Sequence, residues 1–488
     1  MLPLDFETLA TQHGGGSSRT SQIAAGMRDL ILRGVLQPGE AVPSSRALAG
    51  QLGVARGTVV AAYDQLVGES YFVSSPGAPT RVHPRAGALA QVTLKGTQEN
   101  QVGAMPVPLR EQMPKSLSPL NHSADSPSEV IDLRPQHRRA LTMDDAVWRA
   151  AWRRAATANP LDQVGSTDRS GQVQLRQAIS EHLRLTRSLI VHPDQIFITG
   201  GAREGLDLVL AALGPRLQPL AIEQPGYRGL QQLLIRRRTT TTQVAADQHG
   251  ILPQEIAPTT KSVLVTPNHL YPLGGAMPAP RRHELLSRMT EIGGVVLEDD
   301  YDSEFRHLTT PIPTLWELAP DRVVHLGTFH QVLSPEVHIG YLIAPTWMHQ
   351  DLLLARADLG GGASPITQRA VGDYLSGGGL RRHLARRRRD LLRRRALVQE
   401  ALTDLQVETV SGSCAIITTP SPEQTRALQA ILATQGIALS TTTEYWQHAS
   451  GEEPYAGLVI NYADSALTQL DFALSRISAE LDAVRAPV

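Results

Sequence analysis

Lysine is nearly missing from this sequence. Of its 46 basic residues, only Lys95, Lys115 and Lys261 are lysine, and the remaining 43 are arginine. Any mechanism that needs a nucleophilic amine therefore has three candidates. Cysteine is scarcer: Cys414 stands alone, which excludes an internal disulfide and a cysteine-rich metal site, so no metal centre is expected. No apolar run approaches the ~18–20 residues that cross a bilayer. Residues 1–16 lack the basic start and apolar core of a secretory signal. The expectation is a cytoplasmic protein with no membrane partner. Net charge is also close to absent, at −1, and by itself says nothing about nucleic acid.

What is present is length and pattern. A chain of 488 residues, 41% of them hydrophobic, has room for two or more domains around a large core. Three zones are expected. Residues 17–84 alternate helical spacing with Gly/Pro punctuation. Residues 85–130, rich in Pro, Ser, Gln and Gly, read as a linker. From 131 to 488, short apolar runs such as Gln195-Ile-Phe-Ile-Thr199, Ser262-Val-Leu-Val-Thr266, Gly294-Val-Val-Leu-Glu298 and Arg322-Val-Val-His-Leu326 alternate with helical segments. That alternation predicts an α/β domain with a mainly parallel central sheet and a smaller C-terminal α+β subdomain.

In the first zone, Ile23, Met27, Leu30 and Ile31 fall at helical spacing, and Pro43-Ser44-Ser45 reads as a helix start with a capping hydroxyl. Gly53-Val54-Ala55 then separates two helices, Arg46–Leu52 and one from about Arg56 to Val67, as in a helix-turn-helix. Tyr71-Phe72-Val73 and Thr80-Arg81-Val82, around Pro76-Gly77, read as a two-stranded wing. The segment 17–85 carries seven arginines against four acids, a net charge of +3 and a modest footprint for phosphate binding.

The run Leu36-Gln-Pro-Gly-Glu-Ala-Val-Pro-Ser-Ser-Arg-Ala-Leu-Ala49, followed by Leu52-Gly-Val-Ala-Arg-Gly-Thr-Val59, Ala62-Tyr63 and Leu66, resembles the GntR-type winged helix. The resemblance implies DNA contacts from Ser44, Ser45, Arg46, Arg56 and Thr58, with Gly77 at the wing tip. It agrees with a recognition helix that enters the major groove by its N-terminus.

The motifs of the third zone resemble fold-type I aminotransferases, and in particular the MocR group of regulators, which join the two modules. Ile198-Thr-Gly-Gly-Ala-Arg-Glu-Gly-Leu-Asp207 resembles the turn that holds a cofactor phosphate at a helix start; Ala202 and Arg203 are its site residues, Arg203 standing where the family has glutamine. Glu223-Gln-Pro-Gly-Tyr227 and Thr266-Pro-Asn-His-Leu-Tyr-Pro-Leu-Gly274 resemble the next two loops, with Tyr227 bordering the cofactor. Glu298-Asp-Asp-Tyr-Asp-Ser-Glu-Phe-Arg306 implies that Asp299 pairs with a pyridine nitrogen and Tyr301 with a ring hydroxyl.

Leu326-Gly-Thr-Phe-His-Gln-Val-Leu-Ser-Pro-Glu-Val-His-Ile-Gly-Tyr341 aligns with the cofactor-lysine segment and breaks its pattern. His330, Gln331 and His338 stand where the family has serine, lysine and arginine. An amide forms no aldimine and shuttles no proton. Ser166 takes the place of a tyrosine, and Gly457-Leu-Val-Ile-Asn-Tyr462 lacks the usual substrate arginine. The implied protein is a homodimeric regulator of double-stranded DNA with no catalytic residue in its aminotransferase-like domain, Gln331 occupying the lysine position. Pyridoxal phosphate or another small-molecule effector would bind non-covalently. The alternatives are a pyridoxal-phosphate-dependent aminotransferase with a DNA-binding appendage, or a ligand-free dimerisation scaffold. The arginine-rich stretch Leu380 to Arg395 reads as a structural helix, with a second DNA surface as the alternative.

Overall fold

The computed structural model describes residues 18–69, 71–74, 78–84, 130–135, 145–157, 168–272, 274–305, 313–402, 407–411, 413–446 and 456–485. Gly77, Ser166, Lys95 and Lys115 lie outside them.

Three helices open the chain: α1 (Arg19–Leu32), α2 (Ser45–Leu52) and α3 (Arg56–Gly68). Side-chain hydroxyls start the first two. Ser18 accepts from the Ser21 amide and Ser44 from the Ala47 amide, each at 3.2 Å, which satisfies donors a helix start leaves bare. Gly53 ends α2 at φ +63°, a left-handed conformation that glycine adopts without Cβ strain. The stripe Ile23, Met27, Leu30 and Ile31 packs against Leu48, Val59, Tyr63 and Leu66. The wing pairs β1 (Phe72–Val73) with β2 (Arg81–Val82), Phe72 opposite Val82. These strands are shorter than the sequence pattern predicts, because Thr80 gives its carbonyl to the Val42 amide instead, at 3.0 Å.

The large domain is built on an eight-stranded sheet in the order β4-β11-β10-β9-β8-β5-β6-β7. β4 (Ile196–Thr199), β5 (Leu220–Gln224), β6 (Thr241–Asp247), β8 (Ser262–Val265), β9 (Val295–Asp300) and β10 (Val323–Thr328) share one direction, while β7 (Gly250–Ile251) and β11 (Gly340–Ile343) run against it. Both faces are covered. Val263, Val265, Val296 and Val323 enter one apolar cluster, and their neighbours Leu264, Leu297, Val324 and Leu326 enter the other, as the two-residue period of a strand requires. A four-stranded antiparallel sheet, β12 (Val407–Ser411), β13 (Cys414–Thr418), β16 (Gly457–Asn461) and β15 (Ser440–Thr441), forms the smaller subdomain. Beside it, β3 (Ile131–Asp132) pairs in parallel with β14 (Ile437–Ala438).

The winged module packs on the helix Ala279–Glu291 of the large domain. The Ala279 amide donates to the Glu69 carbonyl at 3.0 Å, Ser21 and Ser188 hydroxyls meet at 2.8 Å, and Tyr71 is paired with His283. Arg28 and Glu69 form a buried ion pair beneath this contact, 3.0 Å apart. No helix among the described residues is long and apolar enough to cross a membrane.

Candidate functional site

The residues expected to contact DNA lie around the starts of α2 and α3. Arg46 and Arg56 are exposed and Thr58 is half-buried. Ser44 caps α2, and Ser45 Oγ accepts from Arg56 Nε at 3.3 Å, so Ser45 joins the two helices at their exposed ends. The first turn of α3 contains no acid and no side-chain cap. The Thr58 amide is given to the Ala55 carbonyl at 3.0 Å, and the positive dipole end remains for an anion. Tyr63 ties the element down from behind, donating to the Pro43 carbonyl at 2.8 Å. One arginine counted in the basic footprint is spent inside the module, since Arg28 is buried against Glu69.

The other site forms where the parallel strands end, the expected position for a ligand in an open α/β sheet. Ala202 and Arg203 follow β4, Tyr227 follows β5, Asp299 is the penultimate residue of β9 with Tyr301 just beyond, and His330 and Gln331 follow β10. His338 precedes β11 in a left-handed conformation, φ +47°. Lys261 sits at the other end of the sheet, immediately before β8.

Asp299 and its neighbour Asp300 point to opposite faces of β9 and meet opposite environments. Asp300 is buried, and burial alone would raise its pKa. Arg187, His325 and a hydrogen bond from Ser303 instead hold it well below the usual carboxylate range. Arg187 pairs with it directly and Asn268 Nδ2 donates to it at 3.1 Å. Arg187 also approaches Glu304 at 3.7 Å. Among the described residues Asp299 has no such partner. Its Oδ1 is sealed from solvent and unbonded, and burial, with Asp300, Asp302, Glu223 and Glu298 nearby, pushes its carboxyl up to about 8. Glu223, raised by burial to about 7, accepts from the Thr266 amide and hydroxyl at 2.8 Å each.

Aromatic rings wall this end. Tyr301 stacks on His269 with centroids 5.4 Å apart, and its hydroxyl lies 2.8 Å from His269 Nδ1. Asp302 Oδ2 meets the same Nδ1 at 2.5 Å. Tyr271 meets Tyr227, Tyr301 and Tyr445 edge to face at 5.3, 5.5 and 5.4 Å. Gln331 carries a second buried orphan, Oε1. Tyr445 was missed by sequence reasoning because it comes from the small subdomain, outside every strand-end motif. A separate cleft of about 700 Å³ between the helices Val173–Arg187 and Pro365–Ser376, lined by Gln172, Gln177, Glu181, Arg369 and Arg381 among others, shares none of these residues.

The description "Bacterial regulatory proteins, gntR family" matches residues 19–82. Over 466 residues the chain is 35% identical to the HTH-type pyridoxine biosynthesis transcriptional regulator PdxR of Corynebacterium glutamicum, covering 95% of this chain and 96% of that one. This chain is a MocR-group transcriptional regulator. It is also 27% identical to the probable rhizopine catabolism regulatory protein MocR of Rhizobium meliloti, over 95% of this chain and 92% of the relative. The large domain of the regulator has an aminotransferase fold. The α-aminoadipate aminotransferase LysN of Thermus thermophilus, solved with N-(5'-phosphopyridoxyl)-L-leucine, superposes with a TM-score of 0.64 at 21% identity, over 74% of this chain and 94% of that one.

In this MocR-group protein the arginine-rich helix, Gly379–Ala401, ties three of its arginines to its own domain, while Arg381, Arg382, Arg386, Arg389 and Arg393 are exposed. Arg394 donates to Asp390 and to the carbonyls of Tyr462 and Ser465, Arg388 to the Glu304 carbonyl, and Arg387 bridges Asp390 and Asp464. These contacts favour the structural reading of that helix.

Proposed function

We propose that this regulator dimerises through the large domain, addresses paired half-sites on DNA with Ser44, Ser45, Arg46, Arg56, Thr58 and the wing at Gly77, and senses a small ring compound that it does not transform. The working division is 17–84 for the DNA module, 85–130 for the linker and 131–488 for the dimerisation and effector domain.

One observation carries this reading. Asp299, the residue suited to a ring nitrogen, keeps a buried and unbonded oxygen, while the position suited to a covalent anchor holds Gln331. A ring brought to Asp299 would lie among Tyr301, His269 and Tyr271, held by a charge-assisted hydrogen bond and aromatic contact. Bound there, pyridoxal phosphate would supply an electron sink. Gln331 adds no amine to use it, and Lys261 is at the wrong end of the sheet. A covalent cofactor therefore does not fit the residues present.

The test is an absorbance spectrum of the purified protein with and without added pyridoxal phosphate, followed by borohydride and peptide mapping. No aldimine band and no label on the chain are expected. A band that borohydride fixes to the protein overturns the reading in favour of a working aminotransferase. A vitamer and amino-acid panel that leaves the melting temperature unmoved favours the ligand-free scaffold.

A further inference from the structure

We infer that the effector pocket takes a pyridoxal-class ring without its phosphate, and that His330 and Glu204 bar the phosphorylated form. This rests on the reading above that Asp299 receives a ring nitrogen.

A phosphate dianion at a helix start needs amides without partners, a favourable field and space. The turn before the helix Ala202–Leu213 offers less of each. The Gly200 N–H is given to Glu204 Oε2 at 2.8 Å, and the Gly201 N–H to Thr199 Oγ1 at 3.3 Å. Glu204 places its own carboxylate in the first turn of that helix, and Arg356 Nη1 holds it there at 2.7 Å. The chain thus provides the anion that the dipole favours. Space is taken by His330. Its Nε2 hydrogen-bonds the Gly200 carbonyl at 3.0 Å. Its ring lies so close to Gly201 (φ +120°) that a Cβ there would stand 2.6 Å from Cε1. His338 meets this ring edge-on, with centroids 5.8 Å apart. The two positions at which the family resemblance puts serine and arginine are therefore held by imidazoles, one of them pinned into the cradle.

The ring end points the other way. The bare Oδ1 of Asp299 lies in a cluster of four further carboxylates. A basic ring nitrogen that arrives with a proton satisfies the oxygen and reduces the repulsion together. A phosphate adds charge where the turn has already placed Glu204. The occupant that suits both ends has a basic nitrogen and no phosphate: pyridoxal, pyridoxamine or pyridoxine.

The experiment is calorimetric titration and thermal shift of the full-length protein with those three compounds and their phosphorylated counterparts, alongside the variants Asp299→Asn and His330→Ser/His338→Arg. Wild type should bind at least one unphosphorylated compound about tenfold or more tighter than its phosphate ester. The double histidine variant should reverse that order, and Asp299→Asn should lose both forms while circular dichroism shows it folded. Equal or tighter binding of the phosphorylated form by wild type overturns this inference and leaves the ring pocket standing. Failure of every compound to bind wild type overturns both.

Discussion

Asp299 and Asp300 are adjacent in sequence, equally buried, and chemically unlike. Arg187 compensates one of them, and among the described residues nothing compensates the other. The uncompensated carboxyl has a consequence for stability. In the folded protein it keeps its proton up to about pH 8, whereas its ordinary value is 3.8. Between those values the native state binds more protons than the unfolded chain, so its contribution to stability falls as pH rises through that window. Asp299→Asn removes the dependence. The variant should melt at a higher temperature than wild type, with the gap widening from about pH 5 to about pH 8. A gap that does not change with pH would contradict the assignment. A second residue-scale expectation concerns Gln331→Lys: with pyridoxal it should gain an aldimine band that borohydride fixes at position 331, which wild type lacks.

Some of this chemistry was legible in the chain. Asp299, Tyr301 and Gln331 stand in compact motifs, and their place at the ends of β9 and β10 follows from those motifs. The compensation of Asp300 was not, because Arg187 lies 113 residues away and only the folded sheet brings the two together. The pinning of His330 against Gly201 was equally invisible. A substitution shows which side chain is new, and packing decides where its ring goes.

Elements differ in how much local information specifies them. The helix-turn-helix was readable almost to the residue, since Ser44, Gly53 and the apolar stripe act within a few positions of one another. Its function should also respond locally. Arg56→Ala should weaken operator binding by ~1–3 kcal/mol at fixed salt, measured by fluorescence anisotropy. Arg33→Ala, which removes an exposed partner of Asp29, should leave binding unchanged. The pair Arg28 and Glu69 is a different matter, because its side chains are 12% and 2% exposed. Arg28→Ala strands a buried carboxylate, at a cost of about 3–5 kcal/mol in chemical denaturation. The double change Arg28→Met/Glu69→Gln should recover most of that loss. The helix Gly379–Ala401 was legible as a helix, and the pairing of Arg387, Arg388 and Arg394 with its own domain was not: a run of arginines reads the same whether it faces solvent, DNA or the backbone of its own domain.

At the scale of the whole molecule, buried four- to six-residue runs announced a mainly parallel sheet. They did not announce that β11 enters between β4 and β10 in the opposite sense. Gly340–Ile343 is as apolar as its parallel neighbours, and strand direction is set by the connection rather than by composition. The same sheet carries both ends of the regulatory problem. Arg282, fully buried in the helix beneath the winged module, donates to the carbonyls of Pro267, Met277 and Pro313 and to Asn268 Oδ1, at 2.8 to 3.0 Å. Asn268 in turn holds Asp300, and His283, the next residue along, holds Tyr71 of the wing. Under the function proposed above, this is a lever with its fulcrum at one guanidinium: the loop that would border the ring pocket and the helix that seats the winged module are bolted to the same plate. A ligand that displaces the loop must tilt the plate or strain the bolt. His283→Phe, which keeps the packing and removes the link to Tyr71, should leave effector affinity unchanged and flatten the effector's influence on operator affinity, read as the ratio of DNA dissociation constants with and without ligand.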